Sequence, residues 1–237
     1  MLRFSLVRIP VRVHWSFPLI GILVIGDFEI PEVVGFVVGV FVAILAHEMG
    51  HALTARRFGA YPVTVTLFGL GGLTQYPVDT LLTPGRRFLI AASGSAVGMT
   101  LGGLVFLGRG SALAADLFPF GRAVMWGIIV AGLFWGALNW LPVLPLDGGN
   151  MARHALEIVT PKYALRIAKV LTAVIAAVVA YYAITVWDST FGALFLAFLA
   201  LQGLRTPEPN APARPRPRPA ATDEESLLSI FDEPRGD

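Results

Sequence analysis

The 237-residue chain contains no cysteine. Disulfides, thiolate nucleophiles and cysteine-held zinc are thereby excluded, and any metal has to be held by histidine and carboxylate. Charge is scarce too. Asp, Glu, Lys and Arg make up 14% of the chain, against about 25% in soluble domains. A formal net charge of +2 is too small to point to a nucleic-acid partner, and none is expected. With 55% hydrophobic residues and a mean hydropathy of +0.69, the composition is that of an integral membrane protein. Arg3 precedes an apolar run with no small-residue cleavage site, so the N-terminal segment is expected to be retained. There is no internal repeat and no sign of a second globular domain.

The order of apolar and polar stretches predicts an all-α polytopic membrane protein. About six transmembrane helices are expected, with a small membrane-associated β-hairpin or sheet formed by residues 2–14 and 62–76. The spans are placed at about Trp15–Gly26, Val33–Arg56, Phe88–Leu107, Ala123–Leu141, Ala164–Trp187 and Thr190–Leu204. The first is short of the roughly 20 residues a crossing needs. Asp27, Glu29 and Glu32 form an acidic loop after it, and Asn150–Thr160 is expected to be a short surface helix. In the third span Gly94, Gly98 and Gly102 recur every four residues, which reads as helix packing. Residues 1–204 form the core. Residues 205–237 form a Pro/Arg-rich, then acidic, tail expected to be disordered, with a possible partner-docking cluster at 223–231.

Inside the second span lies His47-Glu48-Met49-Gly50-His51. Residues four apart share a helix face, so both histidines can point at one metal ion, with Glu48 beside them to move a proton. Ionisable groups in hydrocarbon are costly, which makes the cluster a functional hypothesis by default. A catalytic zinc takes three protein ligands and keeps one position open. Loop charges sort by side: Arg3, Arg8, Arg12, Arg56, Arg57, Arg86, Arg87, Arg153, Lys162, Arg166, Lys169 and Arg205 fall together, opposite Arg109, Arg122 and the acidic loops. The positive-inside rule then makes both termini cytoplasmic and puts His51 near that face. Candidates for the third ligand on the same side are His14, Asp79, Asp147, His154 and Glu157. Asp79 is expected in water, Glu157 on a surface helix with basic neighbours, and His14 and His154 at the interface, where either can meet substrate or water. Asp147 sits between a Pro-broken helix end and Gly148-Gly149, where the backbone can bend, although, taken alone, an exposed Asp ending a helix is the more ordinary reading there.

Two motifs together resemble the site-2 protease family of intramembrane zinc metalloproteases. They are His47-Glu48-x-x-His51 and Asn139-x-x-Pro142-x-x-x-x-Asp147-Gly148, and the likeness covers roughly residues 1–204. It implies one zinc ion per chain held by His47, His51 and Asp147, Glu48 as general base and acid, and Asn139 against the scissile carbonyl. It also implies a Gly-rich hairpin near the active site, so Gly69, Gly71, Gly72 and His14 are expected to meet substrate. The substrate would be a single-span membrane protein in the lipid bilayer, cut by a multi-pass protein of the inner membrane. The family often carries Gly-Pro where this chain has Gly94-Ser95, and no PDZ or CBS-like segment is present, so a minimal member is expected. A zinc or other divalent-metal transporter, and a catalytically silent binder of membrane helices, are the competing classes. Transporters usually distribute metal-binding residues through the membrane depth, whereas here they gather at one side.

Overall fold

The structure is a computed structural model that describes residues 1–26, 29–69, 71–77, 82–111 and 117–206. Expectations attached to Asp27, Asp79 and the tail from Pro207 onward lie outside the described residues.

Both expected hairpins form. β1 (Leu2–Leu6) and β2 (Ile9–Val13) are antiparallel, as are β3 (Thr64–Phe68) and β4 (Gly71–Gln75). Val7 and Arg8 both have positive φ, the geometry of a tight two-residue hairpin turn. Arg56 donates to the Val7 carbonyl at 2.6 Å and ties that turn to the helix of the first metal motif. The hairpins are not separate. β2 pairs in parallel with β3, Val11 opposite Val65, giving one sheet in the order β1-β2-β3-β4. Ile9, Val11, Val65 and Leu67 alternate with more exposed residues and are fully buried, so one face of the sheet joins the main apolar core.

α1 (Ile30–Arg57) begins with a reciprocal Glu29/Glu32 capping box and Pro31 in its first turn, and ends with Arg56 and Arg57, which suit the negative end of the helix dipole. α2 (Pro84–Gly108) is capped by the Thr83 side chain. α3 (Pro119–Asn139) contains a π-helical turn at Val130–Phe134. α4 (Asp147–Val159), α5 (Ala164–Thr185) and α6 (Thr190–Leu204) complete the chain. Outward stripes such as Val34, Val38 and Val42 on α1, and Val170, Val174 and Val178 on α5, leave apolar side chains exposed. That is how lipid-facing helices look when no membrane is drawn around them.

Six spans were expected, and the described residues differ. Four helices, α1, α2, α3 and α5, are long and apolar enough to cross a membrane, while α6 has only 15 residues. The expected first span is a 3-10 helix of eight residues, Phe17–Val24. At about 2.0 Å per residue it covers about 16 Å, well under the roughly 30 Å of a hydrocarbon core. The third-to-fourth-helix half of the fold carries a second difference. Asp147 does not end α3; it opens α4, after a loop in which the Leu144 N–H donates to the buried Thr172 hydroxyl of α5 at 2.9 Å.

Candidate metal centre

α1 places His47 and His51 one turn apart, with Glu48 next to His47, about two thirds of the way along its length. The bend at Pro142–Leu146 returns the chain so that the first residue of α4 reaches the same place. Asp147 Oδ2 stands 3.2 Å from His47 Nε2, and Asp147 Oδ1 stands 3.3 Å from His51 Nε2. The two Nε2 atoms are 3.1 Å apart. Among the described residues, His47, His51 and Asp147 form a group able to hold a metal ion.

The spacing tests the fit. Zinc ligands about 2.0–2.1 Å from the ion in a tetrahedron are about 3.3–3.4 Å from one another; here the two Nε2 atoms are 3.1 Å apart, and each meets its own Asp147 oxygen, Oδ2 at 3.2 Å from His47 and Oδ1 at 3.3 Å from His51, with one ligand atom of each residue within 4.8 Å of the others. The proton inventory agrees. His51 Nδ1 lies 2.6 Å from the Ile90 carbonyl, which can only accept, so Nδ1 carries the proton. In neutral His51 the Nε2 lone pair then faces an Asp147 oxygen with no hydrogen between them. Lone pairs at that distance need a proton or a cation between them, and no Arg or Lys pairs with Asp147 among the described residues. Two nitrogens and one carboxylate oxygen are a zinc donor set.

The group opens into a cavity of about 520 Å³ lined also by Glu48, Gly71, Gly72, Thr74, Asn139 and, further out, Arg87, Arg153 and His154. Glu48 is buried and held: the Thr74 hydroxyl lies 2.6 Å from its Oε2 and 3.0 Å from its main-chain oxygen. Gly72 has no room for a Cβ because the Glu48 carboxylate occupies that space. Asn139 is half-buried on the cavity wall, and its amide meets no partner among the described residues.

Other expected site residues fall elsewhere. Gly71 and Gly72 line the cavity, but Gly69 does not; its N–H donates to the Ser16 hydroxyl at 3.1 Å, and it packs on the Ser16 carbonyl. His14 is also off the cavity wall, bonded to the same Ser16 hydroxyl at 2.7 Å. His154 and Glu157 form a cluster of their own. His154 Nδ1 and Arg153 Nε each lie 3.0 Å from Glu157, and Arg87 from α2 lies 3.6 Å away. Burial pushes the His154 imidazole below its ordinary value, outweighing the pull of Glu157. Burial works to raise Glu157, but the hydrogen bond from His154 and the two guanidinium groups bring it below the usual carboxylate range. Two features were not legible as site features. The Gly94, Gly98, Gly102 stripe was expected to serve helix packing, and it does, Gly94 against Gly50 of α1 and Gly98 and Gly102 against Gly132 of α3; beyond that, a side chain at Gly94 would collide with the His51 ring, and Gly98 faces His47. The hydroxyl of Ser95 on Asp147 had no signal in the sequence.

No protein-family model matches the chain. It is 32% identical over 167 residues to Rip3 of Mycobacterium tuberculosis, by name a candidate zinc metalloprotease, covering 62% of this chain and 41% of that one. It is 26% identical over 161 residues to a protein of Methanocaldococcus jannaschii named as a zinc metalloprotease, covering 65% of this chain and 44% of that one. The chain thus spans less than half the length of these relatives. Its fold matches the solved site-2 protease of Methanocaldococcus jannaschii with a TM-score of 0.59 at 20% identity, over 90% of this chain and 99% of that one.

Proposed function

We propose that this chain is a member of the site-2 protease family of zinc metalloproteases, as its likeness to named zinc metalloproteases and its fold support, and an intramembrane endopeptidase that hydrolyses peptide bonds in membrane-spanning segments of single-span proteins. The observation that carries this reading is the convergence of one ligand atom each from His47, His51 and Asp147 within 4.8 Å of one another in a cavity walled by apolar helices.

Zinc, when bound by those three residues, supplies a Lewis acid that brings the pKa of water toward about 7. Glu48 takes the proton of the attacking water and returns it to the leaving amine. Its hydrogen bond from Thr74 leaves the second carboxylate oxygen free for that work. Asn139 offers its amide N–H to the carbonyl oxygen on which negative charge develops. A helical substrate has its carbonyls engaged in i to i−4 bonds and has to unwind before it can be cut. β4 ends the sheet order and lines the cavity through Gly71–Thr74, so an unwound segment can add to it as a further strand. We place the Arg- and Lys-rich side of the protein, with the metal group near it, at the cytoplasmic face of an inner membrane.

The test is Glu48→Gln, assayed on a model single-span substrate in lipid vesicles. The variant is expected to keep its zinc and lose cleavage by at least about 100-fold, the scale of general acid–base catalysis. Cleavage at the wild-type rate with zinc still bound removes Glu48 from the mechanism.

A further inference from the structure

α2 contributes no ligand, yet it touches all three. Ile90 accepts the His51 Nδ1 proton, Gly94 admits the His51 ring, and Gly98 lies against His47. Ser95, beside Gly94 on the helix, donates its hydroxyl to Asp147 Oδ2 at 2.8 Å. Ser and Thr inside helices commonly turn the hydroxyl back onto the carbonyl one turn earlier. Thr100 of the same helix does so, to Ala96 at 2.7 Å, and Thr185 of α5 does so, to Tyr181 at 2.8 Å. Ser95 instead spends its one proton across the helix interface on the carboxylate. Its side chain is fully buried, so water does not compete for that bond, and an O–H bond to a carboxylate is among the stronger neutral-donor bonds.

Asp147 needs such a restraint more than the histidines do. His47 and His51 are spaced by α1 itself, whereas Asp147 begins a separate helix after a loop. Two side-chain torsions leave its carboxylate plane undetermined by the backbone. A fixed donor on Oδ2 holds that plane and occupies one of the four lone-pair sites.

We propose that Ser95 is a positioning residue for the metal centre, orienting Asp147 for zinc through the Oγ–Oδ2 hydrogen bond. The inference rests on the zinc reading above. Its effect is on metal affinity, where removal of an outer partner of a ligand typically costs 10- to 100-fold.

The experiment uses the full chain in detergent and measures zinc affinity by competition with a chromophoric chelator, with the melting temperature of the metal-free protein as control. Ser95→Ala removes only the oxygen. It is expected to weaken zinc binding by about 10- to 100-fold with the metal-free melting temperature little changed. In an Asp147→Ala background the same substitution is expected to change nothing further, because the hydrogen bond is already gone. An affinity within twofold of wild type overturns the proposal, as does an equal loss in the Asp147→Ala background, which would mark a general packing effect. A wild-type chain that takes up no zinc overturns the zinc reading itself, and this inference with it.

Discussion

Two histidine–carboxylate clusters contribute side chains to the wall of one cavity, the outer one through Arg87, Arg153 and His154, and they differ in what neutralises the acid. Glu157 has Arg87, Arg153 and His154 around it. Asp147 has His47, His51 and the Ser95 hydroxyl, with no permanent cation among the described residues. The outer cluster is therefore complete as built: guanidinium groups always carry charge, and His154 stays neutral by burial while donating from Nδ1. The inner one has no such guanidinium, and its three convergent ligand atoms could hold a metal ion. Identical residue types thus do different work according to the company they keep.

That contrast can be broken most sharply at the acids. Asp147→Ala is expected to weaken zinc binding by at least about 100-fold, more than the loss of an outer partner, as measured by metal content after equilibrium dialysis. Unchanged zinc stoichiometry would move the third ligand elsewhere. Glu157→Gln is the matching change in the outer cluster. It is expected to leave zinc affinity within twofold and to lower the melting temperature by about 2–4 °C, because Arg87 and Arg153 lose the charge that links α2 to α4. Loss of zinc in this variant would erase the distinction between the clusters.

The smallest effect is in pH. His154 has a folded value below its ordinary 6.5, so the unfolded chain binds its proton first as pH falls, and folded stability declines through and below that value. The depressed Glu157 acts lower: its contribution is present above its ordinary 4.5 and is lost as pH falls through its folded value. Of these two groups, only the histidine should act between pH 7.5 and 5.5. The metal-free His154→Gln protein is expected to lose less melting temperature over that window than wild type, and an equal loss would show that His154 is not titrating against the fold.

What was legible in the sequence follows locality. Both hairpins, α1 and the two metal motifs are written in short windows, and those windows predicted elements at nearly the observed positions. The parallel pairing of β2 with β3 joins residues more than 50 apart and leaves no local mark. The count of spans depended on segments too short to decide by hydropathy: Phe17–Val24 winds as a tight eight-residue helix, with Pro18 at its start. Within the site, His47, Glu48 and His51 share a helix face by spacing alone, whereas Asp147 needed the family likeness, since a bendable backbone says that a side chain can arrive but not where. The bonds of Thr74 to Glu48 and Ser95 to Asp147 cross between elements. Ordinary hydroxyl residues announce no such contact until the fold exists.

The most direct test of the central claim is to find the bond that is cut. Zinc-loaded protein would be reconstituted in lipid vesicles with a single-span substrate, and the products sequenced by mass spectrometry. The account predicts a new terminus inside the hydrophobic stretch of the substrate, absent when a chelator strips the metal. An intact substrate, together with zinc accumulating inside vesicles that hold the protein, would contradict it and make the same three ligands part of a transport path.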